Sequence, residues 1–553
     1  MSHRPLSRLI VCACWSAIVA VSSGGGVRAQ ESLSVRIDRH IAAGADYAAM
    51  AAPLSDDAEF IRRVSLDLNG IIPTSTQVRE FLASTDPNKR TALVDKLLAD
   101  PLYARHMQRT FDVILMQRRN TQNVAIAEWQ KYLRESFAAN KPWDQLAREI
   151  LSTDGTDPAL RPAARFFLDR DGDPHLITRD VGRLFLGVNL ECAQCHDHPQ
   201  IDDYKQQHYH GIHAFLVRST LFRKGSEPLV LAEKADGEVT FESVFDLRDK
   251  KSTGPKTTLP VLFDGKPLEE PKFEKGQEYK VKPEKDVRGI PNYSRREKLG
   301  PAVADPASRR FARAISNRVW GLMFGRGIID PLELDHSDNP PSHPELLEEL
   351  TTEMIARKYD LKSMLREIAL SQTYQRSGRA SAAAPAPPAA RFAVAPLRPL
   401  TCEQLAWSFC RAVGLLEWQK LQIGANATDE QAMDKLTSVE PHFQNRFASE
   451  PGRIERGFDA RSDQSLFMAH DGSILAWAGP MAGNLAERVL KLPADQTPAI
   501  ADELYLSTLS RPATAEEAAD VAAYLAERTA DRPQAVVELV WALVNSTEFR
   551  FSH

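Results

Sequence analysis

Apolar residues return every three to four positions along most of this 553-residue chain, the spacing that gives a helix one water-avoiding face. The pattern is sharpest near the N-terminus. Ser55 precedes a run with Phe60, Ile61, Val64 and Leu68 on one face and Gly70 just past its end, as expected of a capped helix. Thr74 with Gln77 predicts a capping box for the next helix, and Asp86 followed by Pro87 predicts the start of a third. A fourth face runs from Leu102 to Met116. Helical spacing continues over 125–138 and 143–151 and, after a polar loop, over about 177–190. It returns at 308–323. Ser342 with Glu345 predicts another capping box before 346–356, and Asp360 a cap for the helix carrying Leu361, Met364, Leu365 and Ile368. From Leu400 onward the chain again reads as helical, ending in 535–545.

Between these helical stretches the pattern breaks twice. From about Thr220 to Pro291 short runs alternate, at Glu238–Leu247 and Tyr279–Val281, among many Lys, Pro and Gly residues, which predicts a small β insertion. From Ser377 to Pro399 the chain is rich in Ala and Pro and cannot build a packed core, so a surface linker is expected. The resulting fold class is mainly α, a multi-domain helical protein with a small β insertion between two halves. Its expected divisions are 1–29, 30–219, 220–291, 292–376, 377–399 and 400–553.

The first 29 residues differ from the rest. Arg4 and Arg8 precede an apolar run from Leu9 to Val21, small residues follow, and Val27-Arg28-Ala29 stands before Gln30. This reads as a secretory signal peptide, since the run is shorter than the roughly 18 apolar residues of a membrane span. No later segment is long and apolar enough to span a bilayer, so no membrane span is expected after cleavage. An exported protein of the periplasm or cell surface follows. Hydrophobic residues at 43% and charged residues at 26% are ordinary globular usage. Losing Arg4, Arg8 and Arg28 with no acid takes the formal charge from −5 to −8, which argues against nucleic acid as a partner. Cys12 and Cys14 leave too, and the remaining Cys192, Cys195, Cys402 and Cys410 are too few for a disulfide framework.

The chemistry is concentrated in Cys192-Ala193-Gln194-Cys195-His196. In a CxxCH pentapeptide two thiols about one helical turn apart can each bond a vinyl group of one porphyrin, and the adjacent imidazole reaches the iron. Covalent haem c on Cys192 and Cys195, with His196 as proximal ligand, is therefore the leading expectation, and export agrees with it. The helix bearing Val181, Leu184, Phe185 and Val188 is expected to lay an apolar wall beside the macrocycle. The sixth position is open among His208, His210, His213, His106, Met107 and Met116, or vacant.

The same residues support rivals. Cys192, Cys195, His208 and His213 have the spacing C-x2-C-x12-H-x4-H of a tetrahedral zinc site, although the usual finger's hydrophobic residues are missing between them. A redox dithiol or structural disulfide is a third reading. Cys402 and Cys410, eight apart on an expected helix, read as buried free thiols, and Asp335-His336-Ser337-Asp338-Asn339 as turn chemistry. No GxSxG elbow, Walker loop, dinucleotide fingerprint or HExxH pair occurs, so no catalytic constellation assigns an enzyme class.

Two stretches resemble known domains. Phe60 through Gly70 with Pro73-Thr74, together with the run from Gly187 through Cys192–Pro199 to Phe215, resemble the planctomycete cytochrome-associated domain of unknown function, PSCyt type. Asn317 through Gly327, Asn339 through Glu345 and the ending Trp541 through Phe549 are similar to its usual companion, the PSD-type domain. The resemblance implies export and an association with cytochrome c domains, and no established activity. Many relatives carry a separate cytochrome c domain in front, whereas Cys192–His196 is the one haem candidate in this sequence. The functional expectations are an electron-transfer or redox protein with a cytochrome or other redox partner. The alternative is a non-catalytic scaffold for envelope components, its cluster holding zinc or a disulfide.

Overall fold

The structure is a computed structural model that describes residues 31–44, 46–263, 265–379, 387–452 and 461–552. The expected signal peptide lies outside the described residues, as does part of the expected linker. Among the described residues the chain is mainly helical, with 27 α-helices and sheets of two strands each, the architecture that the apolar spacing predicts. No helix among them is long and apolar enough to cross a membrane.

Local signals set most helix ends. Thr74 and Gln77 form the expected capping box, and Asp360 caps Leu361–Leu370 through the Ser363 N–H. Other ends moved. The first strong helix is Asp57–Asn69, capped by Asp56 rather than Ser55, because it is the Asp56 carboxylate that accepts the Glu59 N–H. Asp86 makes a turn with Asn88, so the next helix starts later, at Lys89. Ser342 caps nothing: its hydroxyl bonds Ile328 C=O, and Pro344–Ala356 begins without a side-chain cap. The helix expected over 177–190 is Pro174–Phe185, with Asp173 as its cap. It stops early because Gly187 turns left-handed at φ 70° and the Leu186 and Val188 N–H groups both close on Gly182 C=O.

Two large apolar cores result, besides a small cluster of Ala214, Val239 and Phe241, and they do not follow chain order. The larger draws on residues from Leu33 to Ala393, so Arg309–Phe324, Pro344–Ala356 and Leu361–Leu370 pack with the N-terminal helices. Trp143 shows the union, stacked on Phe185 at 5.8 Å and on Phe311 at 6.3 Å. Truncating such a buried aromatic costs about 3–5 kcal/mol. The second core holds Leu405–Phe549 together with Leu66, Ile71, Ile72 and Leu102 from the first part of the chain.

Helix Asp57–Asn69 lies between the cores, and its polar face is buried with its apolar one. Arg62 donates to Thr508 C=O and Phe549 C=O, and Arg63 to Tyr374 C=O and Arg376 C=O. Asp67 accepts from Tyr374 Oη–H at 2.7 Å and from Arg398 at 2.6 Å. Arg398 opens the two-residue strand Arg398–Pro399, which pairs antiparallel with Phe551–Ser552. Each buried charge is therefore matched, which avoids the several kcal/mol that an uncompensated one costs.

The β insertion consists of three antiparallel ribbons: Ser219–Phe222 with Val230–Glu233, Val239–Phe241 with Lys256–Thr258, and Tyr279–Val281 with Ile290–Pro291. Two-stranded ribbons are marginal alone, so these lean on the helical body. Glu233 accepts the Arg295 N–H, while the Arg295 guanidinium binds Glu270 and Glu238. The alternation expected over 238–247 yields only three strand residues. Ser243 then caps a short helix, Val244–Arg248.

Candidate functional site: the CxxCH turn

Helix Pro174–Phe185 delivers the motif from a fixed base. Asp180 is fully buried against Arg170 at 2.6 Å and also pairs with Arg183; burial opposes its charge, but these two cations hold its carboxyl below the usual range. After the short link, Cys192–Gln194 forms a 3-10 turn closed by the Cys195 N–H on Cys192 C=O at 3.3 Å. Ala193, between the two thiols, is 0% exposed and belongs to the larger core. Because that methyl faces inward, Cys192 and Cys195 are left exposed, and both are free thiols.

Helix Gln206–His213 clamps the turn from behind. His210 donates Nε2–H to Gln194 C=O at 3.1 Å, and Gln194 reaches His175 Nδ1 at 3.3 Å. The Tyr209 hydroxyl donates to the same nitrogen at 2.8 Å, and the His175 ring stacks on His213 at 4.3 Å. Burial, then His175 and His210, push the His213 imidazole down to about 4, so it is neutral at physiological pH.

His196 is held by two contacts. Its Nδ1–H donates to Asp197 C=O at 2.6 Å, and its ring stacks on Phe245 at 4.0 Å with 17° between the planes. Asp197 is itself fixed, since its carboxylate accepts the Gln206 N–H at 2.8 Å. Phe245 arrives from the insertion helix Val244–Arg248, whose first N–H donates to Cys195 C=O at 3.0 Å. His198 serves the loop instead: its Nδ1 accepts the Gln200 and Ile201 N–H groups, and burial, then His196 and His336, lower its pKa.

The structure thus brings Cys192, Cys195 and His196 together on one turn and disperses the other candidates. His208 stacks on Phe263 at 4.0 Å and accepts the Lys205 N–H, while His213 lies beneath His175. Among the described residues no three His, Cys, Asp or Glu side chains are grouped to hold a metal ion, and this includes Cys192, Cys195, His208 and His213. His106, Met107 and Met116 sit in the interior; the Met116 sulfur accepts from Arg170, and burial followed by Arg109 pushes His106 down to about 4. Cys402 and Cys410 are buried thiols in no disulfide, and the Cys402 sulfur accepts from the Arg118 guanidinium at 3.1 Å. Asp335 binds Arg313 and its backbone meets Gly187 C=O, which joins that segment to the link before the motif.

Val181, Leu184, Phe185 and Val188 are buried in the larger core rather than displayed beside the motif. The apolar groups standing there are Val244 and Phe245, and sequence reasoning missed them because the alternating pattern suggested a strand. The signal available was Ser243, a cap residue ahead of three apolar side chains in four positions.

With the motif placed, the comparisons assign its surroundings. Residues 36–220 match the PSCyt2 family, described as a protein of unknown function (DUF1549), and 295–525 match PSD1, a protein of unknown function (DUF1553). The chain belongs to the proteins that pair these two domains. The CxxCH turn lies within the PSCyt2 stretch, Asp335 and Arg313 within the PSD1 stretch, and the helix that supplies Phe245 in neither. No curated protein and no solved structure matches the chain.

Proposed function

We propose that this PSCyt2–PSD1 protein is exported to the periplasm or cell surface and carries one covalent haem c at Cys192, Cys195 and His196, in an electron-transfer or redox role. One observation supports the reading above others: two exposed free thiols share a turn whose middle residue is buried, next to an imidazole already oriented by its neighbours. A metal-ligating histidine commonly gives its second N–H to a carbonyl, which fixes the tautomer and leaves the other nitrogen's lone pair for the metal. His196 has that arrangement through Asp197, and no described residue hydrogen-bonds its Nε2. The residues fit the group.

The haem would supply a one-electron centre. The chain's own contribution is anchoring and orientation. Cys192 and Cys195 would anchor the porphyrin through thioether bonds and His196 would bind its iron, while the Ala193 plug with the His210–Gln194 bond keeps the thiols on the outer face of the turn. The neutral His210 and His213 behind it add no charge to that face.

The test is expression in a host able to mature cytochromes c, followed by denaturing electrophoresis and staining for haem peroxidase activity. Wild type is expected to stain at the size of the chain, and Cys192→Ala with Cys195→Ala to lose the stain. A colourless wild-type protein whose two thiols are still alkylated would refute the assignment.

A further inference from the structure

The helix Val244–Arg248 is an anomaly. It has no buried residue, and it shows Val244 (46% exposed), Phe245 (37%) and Leu247 (52%) to water. Five residues cannot hold a helix by themselves. Its attachments are the Ser243 cap and a docking contact, the Val244 N–H on Cys195 C=O and the Phe245 ring on His196. The Arg248 guanidinium sits 4.9 Å from the centre of the same ring. A helix whose apolar side chains gain no burial, and whose one aromatic lies flat on an imidazole, is placed for that imidazole.

We infer that Phe245 is a positioning residue for His196: the insertion reaches across to the CxxCH turn and fixes the plane of the axial imidazole. The inference rests on the haem reading. The two restraints are complementary. The Nδ1–H bond to Asp197 fixes which nitrogen is free, and the stack on Phe245 fixes the ring's tilt. Without the stack the imidazole keeps its tautomer and loses its plane. Aromatic stacks of this kind change an equilibrium by up to about tenfold.

Two measurements test this on Phe245→Ala, with Phe245→Trp as rescue and Leu247→Ala as a control on the same helix. In the haem-free chain, diethyl pyrocarbonate is expected to modify His196 several-fold faster in Phe245→Ala, with wild-type rates in Phe245→Trp and Leu247→Ala. In the matured protein, the reduction potential of the haem is expected to shift in Phe245→Ala and to return to the wild-type value in Phe245→Trp. Unchanged modification rate and unchanged potential in Phe245→Ala overturn the role, and an unshifted melting temperature excludes misfolding as a cause of any change. The two readings fail separately: a wild-type chain that takes no haem removes the cofactor, while the modification rate still decides whether Phe245 holds His196.

Discussion

Helix Asp57–Asn69 and helix Val244–Arg248 break the rule of apolar inside and polar outside in opposite directions. The first buries Glu59, Arg62, Arg63 and Asp67; the second exposes Val244, Phe245 and Leu247. In the first, carbonyls, hydroxyls and opposite charges from both cores meet the buried charges, so the exception is explained inside the molecule. In the second, the Val244 N–H and the Phe245 ring meet the CxxCH turn, and no opposing apolar surface buries the exposed side chains. An exception that is internally matched builds architecture, whereas one left facing outward points to something the chain binds or holds.

The contrast can be broken most forcefully at Asp67. Replacing it with alanine leaves the Arg398 guanidinium and the Tyr374 hydroxyl without their acceptor between two cores. A loss of about 3–5 kcal/mol in urea unfolding is expected, and a loss under 1 kcal/mol would mean the helix is not the joint described. Acid probes the same joint through His106, which packs against Gly70 at the helix end. Its folded pKa of about 4 lies below the unfolded value near 6.5. The unfolded chain therefore takes up the proton first, and stability falls as pH drops through that interval. From pH 7 to 5 the cost is about 2 kcal/mol for such a histidine, and His106→Gln should flatten the pH dependence by that amount.

Smaller effects sharpen the comparison. Asp56→Ala removes the cap of the buried helix and should cost about 1 kcal/mol of global stability, whereas Ser243→Ala in the exposed helix should leave the unfolding midpoint unmoved and speed amide exchange only around 244–248. Phe245→Ala too should change global stability by less than about 0.5 kcal/mol, as expected of a side chain that contributes to the site rather than to the core; calorimetry would show it.

Much of this was legible in the sequence, for a local reason. Caps such as Thr74 with Gln77 and Asp360 act within one turn, and the CxxCH residues are neighbours in the chain, so order alone brings them together. What was hidden is non-local. The polar face of Asp57–Asn69 reads as a surface until Thr508, Phe549 and Arg398 arrive from the far end of the chain. The early stop at Phe185 depends on Gly187, which supports a left-handed turn that periodicity does not record. The stack of Phe245 on His196 joins two segments that no spacing rule connects.

Trp143 carries a last implication. It lies with Phe185 in the PSCyt2 stretch and stacks on Phe311 of the PSD1 stretch, so it ties one to the other. A fragment cut after 220 would bare that indole and the side chains around it, inviting aggregation instead of yielding a tractable half. Recombination that exchanged one stretch for a distant cousin's would face the same obstacle, so the two are under pressure to be inherited, and to vary, as a pair.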